Sequence, residues 1–371
     1  MEQHIIHLNG CCDPLDEALR RLESRHLFLV CGKSLSQNSL GRYFSALEDR
    51  MGIKVTVFGD FSQNPGYESV VCGIKAFRRA GCDLIVGAGG GSAMDVAKCI
   101  KLWAQEDLSR VPIGREIAAN SIPLMLAPTT AGTGSEVTRY AVIYYEGKKQ
   151  SITHDSILPE WVVYAPSVLA TLPLYQRHAT MMDALCHATE SFWSVNSNDI
   201  SREWSARAIA HICAARSSWL SGEPDAAACM LEAAAEAGRA INITQTTAGH
   251  AMCYKLCALS GISHGHAAAL CVRSLWPYML AHTDDCIDPR GAGALRDSFA
   301  RLAQVFGAAS PEEGPAAFAA LMDNAVLTVP SLSPDVIDEL AKSVNPVRLK
   351  NNPVRLDEDA IRALYREILR L

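Results

Sequence analysis

The 371-residue sequence predicts an N-terminal α/β domain with a parallel sheet, residues 1–165, followed by an all-helical domain, residues 166–371. Three observations support this fold class. The chain is long for one hydrophobic core, so two domains are the default expectation. Short β-rich runs alternate with helical patterns in the first half, which is typical of a parallel sheet covered on both faces. The strand pattern then stops near Pro166.

Five short apolar runs in the first half are the predicted strands, and two segments between them are predicted helices. The strand candidates are residues 26–32, 54–60, 82–90, 122–128 and 161–166. The helix candidates, residues 66–81 and 92–105, repeat apolar side chains at helical spacing.

The second half is rich in alanine and leucine and shows successive helical patterns. Four segments with glycine, proline, serine or aspartate interrupt these patterns, and we expect each of them to separate two helices. The interruptions are residues 221–226, 260–265, 288–293 and 310–315.

The composition excludes several classes of function. The net charge is −6 without any block of like charges, which argues against nucleic acid and anionic membranes as partners. No apolar stretch approaches the roughly 18 residues of a membrane span, and the N-terminus lacks a signal-peptide pattern. We therefore expect a cytoplasmic protein with a small-molecule substrate. The 13 cysteines are scattered, as expected for reduced buried thiols, and Cys253 with Cys257 lacks the second pair of a zinc ribbon.

A run of glycines joins a predicted strand to the following helix in DLIVGAGGGSAMDVAK, residues 83–98. Such a turn lets the backbone approach a phosphate, and the helix N-terminus directs N–H groups and a positive dipole end at the anion. Ser92 and Asp95 also fit a capping box. The spacing differs from G-x-G-x-x-G, so a tight strand–helix turn without a ligand is the alternative.

A second loop of small residues, PTTAGTGSE at 128–136, offers hydroxyl and N–H groups that would complete a nucleotide site. Taken alone, it is equally expected as an ordinary turn. The candidates for cofactor contact in the two loops are Gly89, Gly90, Gly91, Ser92, Asp95, Lys98, Thr129, Thr130, Thr133 and Ser135.

Carboxylate and imidazole groups recur at helical spacing in the second half. Asp183 and His187 are four residues apart with Glu190 three further on, so a helix places all three on one face within one ligand sphere. His250 and His264 stand on either side of a helix break and converge if the two helices are adjacent. One aspartate and three imidazoles suit Fe²⁺ or Zn²⁺ with a position left for substrate. Taken singly, each histidine is more often a core or surface residue.

These motifs, in this order, resemble the iron-containing (group III) metal-dependent alcohol dehydrogenase family. The resemblance runs from about residue 25 to the C-terminus. It rests on NPGYESV, GAGGGSAMDVAK, APTTAGTGSEVT, MDALCHATE and SHGHAAAL.

The resemblance implies a Rossmann-like dinucleotide-binding domain and a helical metal domain, the architecture also found in dehydroquinate synthase. It implies NADH or NADPH as cofactor and one divalent metal, Fe²⁺ or Zn²⁺, on Asp183, His187, His250 and His264, whereas His266 is not at a ligand position. We also expect a homodimer.

A narrower resemblance is to the members that reduce phosphonoacetaldehyde to 2-hydroxyethylphosphonate, a step of phosphonate biosynthesis. It rests on residues 246–256, 261–267 and 344–356. A phosphonate dianion needs cations and donors near the metal, and solvated surface cations are the alternative for each candidate taken alone. The candidates for substrate contact are Thr138, Lys149 and Lys255, with Arg348 and Lys350 as further cations.

The sequence departs from the family pattern at two positions. Many relatives carry a histidine where Tyr254 stands, so we expect the phenol of Tyr254 to relay the proton. Relatives often carry an acidic residue directly after the second predicted strand, where this sequence has Gly59. Without a carboxylate there, the 2′-phosphate of NADPH is repelled less, so we expect NADPH to be tolerated. Asp60 is adjacent, so an alignment shifted by one residue is the alternative.

The predicted activity is reduction of an aldehyde to a primary alcohol, with the metal as Lewis acid and the nicotinamide as hydride donor. Three alternatives remain at this stage. They are another alcohol or polyol dehydrogenase of the family, a lyase related to dehydroquinate synthase that uses NAD only transiently, and a non-catalytic protein that binds nucleotide and metal.

Overall fold

The computed structural model describes residues 3–322 and 326–371, and it divides into two compact units. The first unit is Met1–Thr130 with Ser135–Thr171, and the second is Ala131–Gly134 with Leu172–Leu371. The division therefore falls six residues later than the predicted boundary at 165/166. The reason is a short 3₁₀ helix, Pro166–Thr171, which follows the last strand and buries Val168 and Leu169 in the first unit.

Within its described residues, the first unit contains eight strands in two sheets. They are β1 His4–His7, β2 His26–Cys31, β3 Lys54–Phe58, β4 Leu84–Gly89, β5 Leu124–Pro128, β6 Tyr140–Tyr145, β7 Lys148–Thr153 and β8 Trp161–Tyr164. Six of them make a parallel sheet in the order β1-β8-β5-β4-β2-β3. The central strands β4 and β5 are buried along their whole length, as expected for strands covered on both faces.

The helices of the first unit are α1 Asp13–Arg21, α2 Ser39–Ser45, α3 Leu47–Met51, α4 Tyr67–Ala80 and α5 Gly91–Trp103. Helix α4 buries Tyr67, Val70, Ile74 and Phe77, the spacing that a helix needs to keep one apolar face on a sheet. Both helices and all five strands expected from the first-half patterns are present.

Three strands were not expected from the sequence. Strand β1 is a four-residue edge strand paired with β8, and β6 and β7 form an antiparallel hairpin. The hairpin turns at Glu146 and Gly147, both with positive φ. Its sequence, Glu-Gly, is not among the strong hairpin signals, and YAVIYY does not alternate cleanly between apolar and polar side chains.

A buried lysine ties this hairpin and the preceding loop to α5. The Lys98 ammonium donates to the carbonyl oxygens of Ser135 at 2.5 Å, Thr138 at 2.8 Å and Tyr140 at 2.8 Å. Burial lowers the pKa of Lys98 to about 8, against the opposing charges of Asp95 and Glu136. Three carbonyl acceptors match the three protons of an ammonium group, so Lys98 is a structural cation of this unit.

The second unit contains ten helices within its described residues. They are α6 Leu174–Trp193, α7 Asp199–Ser221, α8 Ala226–Thr244, α9 Ala248–Ser260, α10 His264–Ala281, α11 Gly291–Val305, α12 Gly314–Met322, α13 Ile337–Ser343, α14 Pro346–Leu349 and α15 Glu358–Leu369. The four predicted interruptions all separate helices. Among residues 3–322 and 326–371, no helix has the length and apolar content needed to cross a membrane.

Lys98→Met should lower the free energy of unfolding of the first unit by about 3–5 kcal/mol, because three carbonyl oxygens lose their charged donor. Lys75→Met, at an exposed position of α4, is the matched control and should change it by less than about 0.5 kcal/mol. Urea unfolding with hydrogen exchange of peptides from α5 measures both. Equal losses in the two variants would contradict the structural role of Lys98.

Candidate active site

Helix α6 supplies the first two candidate metal ligands. It is buried over most of its length, and Asp183 and His187 lie one turn apart on the same face, as their spacing predicts. Both side chains belong to residues that are less than a tenth exposed. A carboxylate in such a place is stable only with charged or hydrogen-bonding partners, which the neighbouring helices provide.

Helices α9 and α10 supply the two late histidines. Gly261, in the left-handed conformation, ends α9, and α10 begins three residues later at His264. The Tyr175 hydroxyl accepts a hydrogen bond from the Ser263 N–H at 2.8 Å and lies 3.2 Å from Nδ1 of His266. His266 therefore holds the entry of α10 in place, in agreement with its absence from the expected ligand set.

The close approach of these helices depends on a glycine beside each late histidine. A Cβ atom at Gly265 would lie 2.1 Å from the Ala179 carbonyl oxygen of α6 and 2.6 Å from Cβ of Asp183. A Cβ atom at Gly249 would lie 2.6 Å from a methyl group of Val272. Any side chain at 265 would push α10 away from Asp183. Sequence reasoning did not use these glycines, although a glycine next to each histidine is visible in the sequence.

Together the helices form a candidate metal centre. One ligand atom each of Asp183, His187 and His250 lies within 4.8 Å of the other two. His250 Nε2 is 3.6 Å from Asp183 Oδ1, and the rings of His187 and His250 stack with centroids 4.4 Å apart. His264 is not a member of this group of three but lies beside it, with Nε2 3.9 Å from the same Asp183 oxygen and a side chain 38% exposed.

The donor set fits a divalent cation. Asp183 Oδ1, His187 Nδ1 and His250 Nε2 are buried and have no hydrogen-bond partner among the described residues. Buried polar atoms without partners are rare in folded proteins and indicate a missing ligand. One carboxylate oxygen and imidazole nitrogens form the mixed N/O set that Fe²⁺ and Zn²⁺ accept. The residues present therefore fit the metal that the family resemblance implies.

The pKa shifts of Asp183 and His187 favour the protonation states in which these side chains bind a metal. Burial opposes the charge on Asp183, but the imidazoles of His187, His250 and His264 outweigh it and hold the pKa of that carboxyl below its usual range. Burial lowers the pKa of His187 to about 4, despite the Asp183 carboxylate. Asp183 is therefore ionised and His187 neutral at neutral pH, as metal binding requires.

Glu190 lies behind His250 and not in the ligand group where the sequence pattern places it. Its Oε2 pairs with Nδ1 of His250, and its Oε1 accepts hydrogen bonds from the Thr247 N–H at 3.0 Å and the Thr247 hydroxyl at 2.7 Å. Against the effect of burial, Glu190 raises the pKa of His250 to about 9. This carboxylate–histidine pair directs Nε2 of His250 at the centre.

Tyr254 packs against His264, the partly exposed candidate ligand. Its ring stacks on that of His264 with centroids 5.3 Å apart and an interplanar angle of 15°. Burial raises the pKa of Tyr254, while the nearby charge of Arg348 acts in the opposite direction. The phenol is therefore neutral at physiological pH and able to pass on a proton by hydrogen bonding.

In the first unit, the glycine loop and the two threonines after β5 lie side by side. Strands β4 and β5 pair Gly89 with Pro128, and the Thr129 N–H donates to the Gly89 carbonyl at 2.9 Å. A Cβ atom at Gly90 would meet the Thr130 side chain at 3.5 Å. The loop from Gly90 to Ser92 is partly exposed and caps α5, so its amides point out of the helix N-terminus.

Several predicted cofactor contacts have internal partners. Gly90 is the N-cap of α5 without a side-chain cap, so the capping box of Ser92 and Asp95 is wrong. Asp95 instead accepts from the Ser135 hydroxyl at 2.9 Å and the Val142 N–H at 3.0 Å. Asp95, Ser135 and the buried Lys98 therefore support the loop through hydrogen bonds inside the first unit.

Thr133 and Gly59 are two further candidates for cofactor contact. Thr133 belongs to the 131–134 segment of the second unit, which packs against α6 and α8, whereas Thr129 and Thr130 belong to the first unit. Gly59 is exposed directly after β3, but a Cβ atom there would lie 2.8 Å from the Cys31 carbonyl oxygen. The backbone of β2 is therefore one reason why position 59 carries no acidic side chain.

The candidate substrate contacts are not equivalent. Thr138 is buried, and its hydroxyl donates to the Ser135 carbonyl at 3.2 Å. Lys255 forms an ion pair with Glu339 of α13 at 2.5 Å, so its charge is already compensated. Lys149 is half-buried on β7 of the first unit, and Lys350 is exposed. Arg348 is half-buried, and no carboxylate of the described chain forms an ion pair with it.

The fold and the metal centre define a class of protein, and comparison with known families identifies it. The model for iron-containing alcohol dehydrogenases matches residues 2–166, and the model for the C-terminal part of that family matches residues 177–369. The chain therefore belongs to the iron-containing alcohol dehydrogenase family, as predicted, and is an oxidoreductase acting on alcohols.

Two relatives within the family and one solved structure are similar to this chain over most of its length. The chain is 33% identical over 320 residues to phosphonoacetaldehyde reductase of Streptomyces viridochromogenes, covering 81% of this chain and 80% of that protein. It is 30% identical over 280 residues to long-chain-alcohol dehydrogenase 1 of Geobacillus thermodenitrificans, covering 74% and 70%. The crystal structure of sulfoacetaldehyde reductase from Bifidobacterium kashiwanohense with NAD⁺ is similar at 26% identity and a TM-score of 0.85, covering 99% and 97%.

Glu190→Gln should weaken metal binding by about 10–100-fold, because the amide no longer fixes the orientation and basicity of His250. Glu236→Gln is the matched control, since Glu236 is also buried and also bonds a histidine, His211, at 2.8 Å. That control should leave metal affinity unchanged. Titration of metal-free protein with Co²⁺ measures both affinities, and an equal weakening in both variants would refute the specific role of Glu190.

Proposed function

We propose that the chain is a metal-dependent, NAD(P)H-linked reductase that converts phosphonoacetaldehyde to 2-hydroxyethylphosphonate. The observation that carries the enzymatic part is the set of three buried, unpartnered ligand atoms on Asp183, His187 and His250. The choice of substrate is supported by the 33% identity to a phosphonoacetaldehyde reductase and by the guanidinium of Arg348, which forms no ion pair among the described residues.

Each group has one role in this proposal. Asp183, His187, His250 and His264 hold one divalent cation, Fe²⁺ or Zn²⁺. When bound, the cation polarises the substrate carbonyl as a Lewis acid and the nicotinamide supplies hydride. Tyr254 passes the proton to the developing alcohol oxygen. The loop at Gly90 binds the cofactor pyrophosphate through backbone amides.

Arg348 is the best placed of the candidate cations to bind the phosphonate. Helix α14 packs against α9, and the charge of Arg348 acts on Tyr254, whose ring stacks on His264. A planar guanidinium with several donors matches a phosphonate better than an ammonium does. Lys255, five residues after His250, is paired with Glu339 and is the weaker candidate.

Sulfoacetaldehyde is the second candidate substrate. It shares a two-carbon aldehyde and an anionic tetrahedral head with phosphonoacetaldehyde, and the similar solved structure is of a sulfoacetaldehyde reductase. A phosphonate carries up to two negative charges and a sulfonate one, so the substrate with the higher kcat/KM identifies the head group. We further propose a cytoplasmic homodimer that accepts NADH or NADPH, as the family resemblance implies.

Arg348→Ala should lower kcat/KM for phosphonoacetaldehyde by about 30–100-fold, corresponding to the loss of charge-assisted hydrogen bonds. Propanal, which lacks the anion, should be reduced at an unchanged rate. Lys255→Ala is the control and should affect neither substrate by more than about twofold. Initial rates of NADH and NADPH oxidation on metal-analysed enzyme measure all cases.

Two results of that assay would overturn the substrate proposal. One is equal loss on both aldehydes, which would make Arg348 a structural residue. The other is wild-type activity on propanal with none on phosphonoacetaldehyde, which would favour a neutral alcohol or aldehyde as substrate. Product formation without net cofactor oxidation would favour a lyase instead.

Gly90→Ala should weaken NADH binding by about tenfold, because a methyl group stands between the loop backbone and the pyrophosphate. The fold should tolerate it, since the new Cβ makes ordinary contacts of 3.5 Å with Thr130. Gly89→Ala places Cβ 2.6 Å from Cβ of Ala93 and should lower thermal stability as well. Fluorescence titration with NADH and thermal melting separate the two effects; an unchanged affinity in Gly90→Ala would exclude the loop from cofactor binding.

A further inference from the structure

A cysteine thiol lies between two of the candidate metal ligands. Cys253 is fully buried on α9, three residues after His250. Its Sγ donates to the His250 carbonyl oxygen at 3.3 Å and lies 3.5 Å from Nδ1 and 4.0 Å from Nε2 of His264. Nδ1 is therefore the nearer of the two ring nitrogens to the sulfur. The thiol therefore links the helix that carries His250 to the first residue of α10.

The direction of these two hydrogen bonds determines the state of His264. The thiol has one proton, which it donates to the His250 carbonyl. Its sulfur is then an acceptor toward His264, and the ring nitrogen that donates to it is inferred to be Nδ1, which lies 3.5 Å from the sulfur against 4.0 Å for Nε2. The lone pair of that imidazole is left on Nε2, the atom 3.9 Å from Asp183 Oδ1. This is the tautomer that presents Nε2 to a cation at the centre.

His264 needs such support more than His250 does. His250 is almost completely buried and is held through Nδ1 by the carboxylate of Glu190. His264 is 38% exposed in its side chain, and Tyr254 covers one face of its ring. Ring stacking restrains the plane of an imidazole but does not select its tautomer, whereas a hydrogen bond at Nδ1 does.

We propose that Cys253 is a positioning residue for the metal ligand His264. The buried thiol accepts the Nδ1–H of His264, donates to the His250 carbonyl, and so sets both the tautomer and the edge of the ring that faces Asp183. The inference rests on the metal centre of the proposed function and does not depend on the aldehyde that is reduced.

Metal affinity is the first test. Cys253→Ala should weaken Co²⁺ binding to metal-free protein by about tenfold, the lower end of what loss of a ligand's supporting hydrogen bond produces. Cys253→Ser keeps one donor and one acceptor and should restore affinity to within about threefold of the wild type. Cys271→Ala, a fully buried thiol seven residues after His264 on α10, controls for the loss of a buried sulfur and should bind Co²⁺ normally.

The tautomer is the second test, and activity does not enter it. In metal-free protein with ¹⁵N-labelled histidine, the signal that His264→Ala removes should show a protonated Nδ1 at a pH where imidazoles are neutral. In Cys253→Ala that signal should shift toward a mixture of both tautomers. An Nε2-protonated ring in the wild type, or an unchanged tautomer and Co²⁺ affinity in Cys253→Ala, would overturn the proposal. If Co²⁺ affinity responds as expected while phosphonoacetaldehyde is not reduced, only the substrate assignment fails.

Discussion

The second unit depends on one buried charge, the carboxylate of Asp183. A buried carboxylate is several kcal/mol less stable than a hydrated one unless cations or hydrogen bonds compensate it. Here the compensation comes from imidazoles on three different helices, and one carboxylate oxygen together with two imidazole nitrogens has no hydrogen bond. A divalent cation bound there would satisfy all three atoms, so the arrangement that lowers stability without metal would add stability with it.

This requirement explains the packing around Asp183. Helix α10 has to approach α6 closely enough for His264 to face the carboxylate, and Gly265 permits that approach. Each late histidine is then held at Nδ1, His250 by Glu190 and His264 by the sulfur of Cys253. The two late histidines are therefore positioned by side chains that are themselves buried, Glu190 and Cys253, as a catalytic metal centre needs.

One buried charge of the first unit, the ammonium group of Lys98, has hydrogen-bond partners within the unit, unlike the oxygen of Asp183 that has none among the described residues. Inside the unit, Lys98 donates hydrogen bonds to three backbone carbonyl groups and lies near the opposing charges of Asp95 and Glu136, so its charge stabilises loops. The partly exposed loop from Gly90 to Ser92 presents backbone amides, and these suit a pyrophosphate without any cationic side chain. In the second unit, Arg348 has no ion-pair partner among the described residues, and a free guanidinium suits an anionic substrate better than the paired Lys255.

The sequence by itself determined the class of fold and the family, because strand and helix periodicity, the glycine run and the four-residue spacing of Asp183 and His187 are local patterns. The hairpin of β6 and β7 escaped prediction because its turn and strands carry only weak local signals. Only the tertiary structure decided which partner each polar side chain has: Glu190 with His250, Lys255 with Glu339, Cys253 with His264. Burial and hydrogen bonding arise between elements far apart in the chain, so no local pattern records them.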